Sequence, residues 1–156
     1  MANYITADLH IGDANVAKLW GFSCVDELNA YMLSIWNRDV VGGTVWVLGD
    51  FITSIRYVDI IDKMAGEIRL VRGNHESRGV IAALNKHPRV KVFGWVKLIM
   101  VGGRKVVLTH KYAENNCLVL HGHSHGMGKG DVGIMTWDRI LRLEDVVRKL
   151  RDEKMS

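Results

Sequence analysis

The sequence predicts an α/β fold, because strand-like and helix-like segments alternate through the first half of the chain. Five short apolar stretches are typical of buried strands, and each ends in a side chain that can bind a metal. Strand, helix and strand in succession favour parallel pairing through right-handed crossovers. The 156 residues, 48% of them hydrophobic and 24% charged, predict one globular domain over residues 1–156.

The elements of the first half follow from local patterns. Residues 3–7 form the first predicted strand. A serine with an acidic residue three positions later then begins a predicted helix over residues 25–38, with apolar residues at helical spacing. Strand residues 44–48 come next, and a second helix is predicted near residues 58–64. The third strand, residues 68–71, completes the alternation.

In the second half of the chain, the strand-like segments follow a different pattern. After a short helix near residues 80–85, strand-like segments at residues 91–93, 96–100 and 105–108 lie close together, with two glycines between the last two. This hairpin signature predicts a more antiparallel sheet that packs on the first. The amphipathic segment 143–151 is predicted to be a helix that covers a sheet face.

Composition limits the classes of function. The formal charge of +4 suits an anionic substrate but falls short of a dedicated nucleic-acid binder. Cys24 and Cys117 share no short spacing, so we expect two buried thiols rather than a disulfide or a cysteine zinc site. With no basic leader and no apolar span near 20 residues, we expect a soluble cytoplasmic protein.

Metal-binding side chains follow all five predicted strands. Carboxyl ends of strands in open α/β sheets converge on one crevice, so residues far apart in sequence would meet there. Residues two apart on an extended strand end point to the same side, as Asp8 and His10 do, and His123 and His125. Oxygen and imidazole ligands without thiolate favour Mn, Fe, Zn or Ni over a structural zinc or calcium site. The candidates are Asp8, His10, Asp50, Asn74, His75, His110, His123 and His125.

Together these motifs resemble the calcineurin-like metallophosphoesterase superfamily. Its pattern is Asp-x-His, Gly-Asp, Gly-Asn-His-Asp/Glu, His and Gly-His-x-His, and all five motifs occur in order from Asp8 to His125. The segment Asp131-Val132-Gly133 is similar to sequences from a small branch of this superfamily, whose members are single-domain proteins of bacteria and phages. The resemblance implies a four-layer α/β/β/α sandwich with two mixed β-sheets, the metallo-dependent phosphatase-like fold.

The resemblance also implies the site chemistry. Two divalent metal ions are expected as cofactors, Mn or else Fe, Zn or Ni, with Asp50 bridging them and a hydroxide shared between them as nucleophile. His75 would be catalytic, stabilising the phosphoryl group or protonating the leaving oxygen; its alternative role is to stabilise the turn. One metal would bind Asp8, His10, Asp50 and His125, and the other Asp50, Asn74, His110 and His123.

Several residues near the motifs bear on substrate choice. The branch often has histidine where this chain has Asp13. Arg56 and Arg72 are candidate phosphate contacts, with solvated surface arginines as the alternative. Trp95 or Trp137 is a candidate platform on which a base could stack.

The function predicted from the sequence is hydrolysis of phosphodiesters, including 2′,3′-cyclic nucleotides. The nearest alternative is a phosphomonoesterase, and a catalytically idle protein scaffold is a different class. A nuclease on polymeric nucleic acid needs a basic track beside the site, which the sequence does not show clearly. The expected partner is a small phosphoester or nucleotide; polymeric nucleic acid and the oligomeric state stay open.

Overall fold

The computed structural model describes residues 1–155, with side chains described for residues 1–153. The strands are β1 (Asn3–Thr6), β2 (Thr44–Leu48), β3 (Glu67–Val71), β4 (Val90–Phe93), β5 (Val96–Val101), β6 (Arg104–Thr109), β7 (Leu118–His121) and β8 (Leu141–Arg142). The helices are α1 (Ala14–Leu19), α2 (Val25–Asp39), a 3₁₀ helix (Ile55–Lys63), α3 (Arg78–Lys86), α4 (Ile134–Trp137) and α5 (Leu143–Met155).

The larger sheet has five strands in the order β4-β3-β2-β1-β8. Strands β1 to β4 pair in parallel, as the alternating pattern predicts, and β8 is antiparallel to β1. The expectation that residues 91–93 join the antiparallel half is wrong, because β4 pairs in parallel with β3. Helix α3 provides the crossover between these two strands, and such a crossover is what parallel pairing requires.

The smaller sheet has three strands in the order β5-β6-β7. Strands β5 and β6 form the predicted antiparallel hairpin, and β6 pairs in parallel with β7. The hairpin turns at Gly102 and Gly103, whose φ angles of 55° and 78° lie in the left-handed region that favours glycine. The prediction of an α/β fold with two mixed sheets is confirmed.

Two apolar clusters hold the layers together. Helices α1 to α3 and the 3₁₀ helix pack on one face of the larger sheet, where the rings of Trp36 and Phe51 stack 5.9 Å apart. Between the sheets, Leu48 of β2 packs in one cluster with Leu108 of β6, and α5 joins it through Val147. This packing presents the carboxyl ends of β1, β2, β3, β6 and β7 at one end of the molecule.

The second predicted helix differs from its prediction in type and bounds. It is a 3₁₀ helix that begins at Ile55 and ends at Lys63. The guanidinium of Arg89 donates hydrogen bonds to the carbonyls of Ile61, Met64 and Gly66, at 2.6, 2.9 and 2.6 Å. Arg89 therefore gives a second donor to the carbonyl of Ile61, which also accepts from Met64 N–H, and donates to two carbonyls just beyond the end of the helix.

The expectation of two buried thiols is wrong. Cys24 is exposed and Cys117 half-buried, and both are free thiols. Cys24 is the residue that precedes the first turn of α2, so its position at a helix end places it on the surface. Within residues 1–155, the helices are too short or too polar to cross a lipid bilayer.

Candidate metal centre

The predicted ligands lie together at the carboxyl ends of the strands. Asp8 and His10 follow β1, Asp50 follows β2, and Asn74 follows β3, while histidines follow β6 and β7. The backbone amide of Asp8 donates to the carbonyl of Gly49, and that of His10 donates to the carbonyl of Asp50. The loops after β1 and β2 therefore run side by side for several residues beyond the sheet.

Two clusters contain six of the predicted ligands. One comprises Asp8, His10 and His125, the other Asp50, His110 and His123, and within each cluster the potential ligand atoms lie within 4.8 Å of one another. Oδ2 of Asp50 lies 3.5 Å from Nε2 of His10 and 3.2 Å from Nε2 of His110. Asp50 thus lies between the clusters.

Asn74, the seventh predicted ligand, joins the second cluster. Its Oδ1 lies 2.8 Å from Nε2 of His110. Nδ1 of the same histidine is 2.8 Å from the carbonyl of Leu48, so a proton on Nδ1 is donated there and Nε2 faces the cluster. This arrangement fixes the ring orientation that a metal ligand needs.

The backbone is strained at five of the seven predicted ligands. Left-handed φ angles occur at Asp8 (60°), His10 (50°), Asp50 (52°), His123 (65°) and His125 (50°). Such angles are uncommon outside glycine and cost of order 1–3 kcal/mol each. Their concentration in one place is typical of a functional site whose side chains must all converge on the same point.

Two motif glycines are required by close approach. At Gly49, with φ of 82°, an added Cβ would overlap the ring of His110. At Gly73 an added Cβ would overlap the backbone nitrogen of Asp50. The strand ends can therefore approach closely enough to bring the clusters together only because these positions lack side chains.

His10 provides a direct test of whether the site fits a metal. Its side chain is buried, and neither ring nitrogen has a hydrogen-bond partner in the described part of the chain. A buried polar group without a partner is costly, but a divalent cation would accept the lone pair of the imidazole. The clusters of carboxylates and imidazoles are consistent with metal binding.

Burial controls the charges of the site. It raises the pKa of Asp8 to about 7 and lowers that of His10 to about 4. Burial alone would also raise the pKa of Asp50, but the hydrogen bond and charge of His110 outweigh it, so that pKa is lowered. Asp50 is therefore ionised and His10 neutral near pH 7, the forms in which each binds a cation.

Glu76 braces two of the loops. Its two carboxylate oxygens accept hydrogen bonds of 2.8 Å each, one from the backbone N–H of Phe51 and one from that of Gly73. The side chain is buried, and burial raises its pKa. Because the two amides flank Asp50 and Asn74, Glu76 fixes the loops after β2 and β3 relative to each other.

Asp131 stabilises the loop of the last motif through hydrogen bonds. Its Oδ2 accepts a 2.6 Å hydrogen bond from the hydroxyl of Ser124, which lies between His123 and His125, and its Oδ1 accepts one of 2.8 Å from Gly133 N–H. The sequence placed Asp131 in a motif without giving it a role. The structure shows that it holds the histidine loop.

Trp20 is a site residue that the sequence analysis missed. Its ring centroid lies 5.5 Å from that of His10 and 6.1 Å from that of His125. Trp20 is the C-cap of helix α1, which the sequence analysis did not predict. No motif therefore indicates that this indole lies at the site. Trp20 screens one side of the first cluster.

Asp13 and His75 lie at the mouth of the site. Oδ2 of Asp13 is 3.5 Å from Nδ1 of His10 and 3.9 Å from Nδ1 of His75, while Oδ1 caps α1 through Val16 N–H. The side chain of His75 is 45% exposed, and its Nε2 is 3.9 Å from Oδ2 of Asp50. Its backbone amide donates to Oδ1 of Asp50. His75 is therefore exposed to solvent and also in contact with Asp50.

Two solved structures share this fold. A protein of unknown function, AQ665 from Aquifex aeolicus, superposes with a TM-score of 0.77 at 18% identity, covering 95% of this chain and 98% of that one. A structure described as a novel archaeal phosphodiesterase gives a TM-score of 0.52 at 17% identity, covering 85% and 81%. At these identities the likeness establishes the fold.

Sequence comparison identifies the family. The uncharacterized protein MJ1445 of Methanocaldococcus jannaschii is 29% identical over 134 residues, which cover 78% of this chain and 68% of that protein. The calcineurin-like phosphoesterase superfamily domain matches residues 1–139, which include every predicted site residue. The chain therefore belongs to the calcineurin-like phosphoesterase superfamily.

Proposed function

We propose that the protein is a metal-dependent phosphodiesterase with a binuclear centre. The observation that carries this proposal is the position of Asp50, whose Oδ2 lies between a histidine of each cluster. A shared carboxylate is what two cations need to be held close together. Asp8, His10, Asp50 and His125 would hold one ion, and Asp50, Asn74, His110 and His123 the other.

Two divalent cations at this place would activate water and neutralise the phosphate oxygens as charge develops. The reaction joins a water oxygen to phosphorus, breaks one ester P–O bond and transfers a proton to the departing alcohol oxygen. His75 is the proposed proton donor, since it is exposed at the mouth of the site. Asp13, 3.9 Å away, would orient the ring.

Access to the site favours diesters over monoesters. His75 is 45% exposed and Asn74 is also exposed, so the second ester group of a substrate can extend into solvent. The likeness to a structure described as an archaeal phosphodiesterase agrees with this choice. The substrates we propose are phosphodiesters, cyclic nucleotides included, and the nearest alternative is a phosphomonoester.

The first experiment compares bis-p-nitrophenyl phosphate with p-nitrophenyl phosphate, using chelator-stripped protein and added Mn²⁺, Ni²⁺, Zn²⁺ or Mg²⁺. We expect metal-dependent hydrolysis with preference for the diester. Preference for the monoester would make the protein a phosphatase. No metal-dependent turnover of either ester would contradict the proposal and favour the scaffold.

Two variants separate the proposed roles. His75→Ala should lower kcat by about 100-fold or more while the metal content is retained, because general acid catalysis contributes about 10²–10⁴-fold. Asp50→Asn should lose metal and activity together, whereas the exposed Asp59→Asn is the matched control. Full activity in either site variant would refute the role assigned to it.

A further inference from the structure

Positive charge is concentrated in one part of the chain. Residues 77–113 contain no Asp or Glu, and the rest of the molecule has 13 basic against 17 acidic residues, a net charge of −4. The segment itself has a formal charge of +8, carried by Arg78, Lys86, Arg89, Lys91, Lys97, Arg104, Lys105 and Lys111. Positive charge without nearby acidic residues in the chain favours an anionic partner for this segment.

This basic segment reaches the candidate metal centre at a cavity of about 360 Å³. Asn74 and His110 line the cavity on the side of the centre, and Arg72, Trp95 and Lys111 line it as well. The cavity therefore opens beside the proposed reacting phosphate, and its other walls combine two cationic side chains and the indole with Val96 and Thr109.

Trp95 is positioned as a platform in this cavity. Its side chain is 57% exposed, and the guanidinium carbon of Arg72 lies 4.8 Å from its ring centroid. The Nε of Arg72 is buried and has no hydrogen-bond partner among the described residues. A large exposed indole held by a stacked arginine is a surface on which a nucleobase can stack.

Cations also lie on β4 and β5, the two strands that flank Trp95 in the chain. The ammonium groups of Lys97 and Lys91 lie 4.8 and 5.3 Å from the ring centroid of Phe93. Arg69 is exposed on the neighbouring strand, directly opposite Lys91.

We infer that Arg69, Arg72, Lys91, Trp95, Lys97 and Lys111, named here the basic strip, bind single-stranded nucleic acid next to the hydrolysed phosphodiester. As a statement about the substrate, the inference rests on the proposed function. A cationic groove with an exposed aromatic platform is the combination that binds single strands without sequence preference. An acidic protein would be attracted by the charges but would leave the indole without a role.

Binding of a fluorescein-labelled single-stranded DNA octamer, followed by anisotropy in chelator, tests the strip without any catalysis. Trp95→Leu should weaken binding by about 5-fold or more, since stacking of one base is worth about 1–3 kcal/mol, and Trp95→Phe should retain most of the affinity. The pair K91Q/K97Q should reduce the slope of log affinity against log salt by about 1.4. The control pair K18Q/K63Q changes two exposed lysines outside the strip and should leave the slope unchanged.

The outcomes separate this inference from the proposed function. If the protein hydrolyses bis-p-nitrophenyl phosphate but neither strip variant alters octamer binding, the strip is refuted and the proposed function stands. If the octamer binds with the expected variant effects but no ester is hydrolysed, the proposed function fails and the binding site stands. If polyglutamate of equal charge binds as tightly as the octamer, the surface recognises acidic protein and the inference is overturned.

Discussion

Replacing Glu76 by glutamine tests whether one buried carboxylate holds two loops of the metal centre in place. In the native protein each oxygen of Glu76 accepts a 2.8 Å hydrogen bond, from Phe51 N–H and from Gly73 N–H. Glutamine has nearly the same shape but only one acceptor. Its amide nitrogen would face a backbone donor, so one hydrogen bond is lost and two N–H groups oppose each other.

The magnitude follows from the burial of the group. Glu76 is only 6% exposed, and losing a hydrogen bond to a charged group costs about 1.5–3 kcal/mol. For a chain of this length each kcal/mol lowers Tm by about 2–4 °C, so the expected decrease is about 3–12 °C. The loops that carry Asp50 and Asn74 should also shift, and loss of such a supporting contact weakens metal affinity by about 10–100-fold.

Thermal unfolding of metal-free protein and titration with Mn²⁺ measure both effects. Glu67→Gln is the matched control, because it makes the same chemical change at an exposed position at the start of β3. If Glu76→Gln unfolds at the same temperature as this control and binds Mn²⁺ as the native protein does, the bracing role is wrong.

Two other predictions concern the pKa of Asp8 and the hydrogen bonds of Arg89. Because burial raises the pKa of Asp8 from 3.8 to about 7, the folded state keeps a proton there that the unfolded state has lost, and stability should fall as pH rises between those values. A metal ion that binds Asp8 must displace this proton. Titration calorimetry in two buffers should therefore show that metal binding releases more protons at pH 6 than at pH 8. If the native protein and Asp8→Asn release equal numbers of protons, this prediction is wrong. Arg89→Met should lower the unfolding free energy in urea by about 2–4 kcal/mol, since three hydrogen bonds from the guanidinium are lost, while the matched exposed change Arg56→Met should have little effect. An unchanged urea midpoint for Arg89→Met would show that those bonds contribute nothing.

The sequence was sufficient for features that depend on neighbouring residues. Residues 25–38 have a helical apolar period, and the helix observed is Val25–Asp39. The predicted serine cap is wrong, because the residue at the N-cap is Cys24, which makes no side-chain capping hydrogen bond. The pair Gly102-Gly103 predicts a hairpin, which β5 and β6 form. The helix and the hairpin are predicted correctly because periodicity and tight turns are decided within a few residues of the chain.

Sheet membership could not be taken from local pattern alone. Residues 91–93 have the same strand-like composition as the hairpin that follows, yet β4 pairs in parallel with β3. The choice depends on how α3 packs back on the larger sheet, which is a long-range property. The 3₁₀ geometry of Ile55–Lys63 is similar, because Arg89 stabilises its end from 28 residues away.

The sequence likewise predicted some features of the candidate site and gave no sign of others. Strand-end motifs predicted the ligand candidates by type and order, because parallel strands end at one edge whatever their exact packing. The same pattern gave no sign of Trp20 beside His10, nor of the contact between Asp13 and His75. Such contacts join residues from separate loops, and no spacing along the chain records them.

By itself, then, the sequence determined the α/β class, the parallel first half and the residue types available to bind metal. The tertiary structure alone decided that Asp50 lies between two histidines, that Glu76 joins two loops, and that the basic strip borders the site. The physical reason is that motifs depend on local backbone geometry, whereas distances between loops depend on how the two sheets and their helices pack.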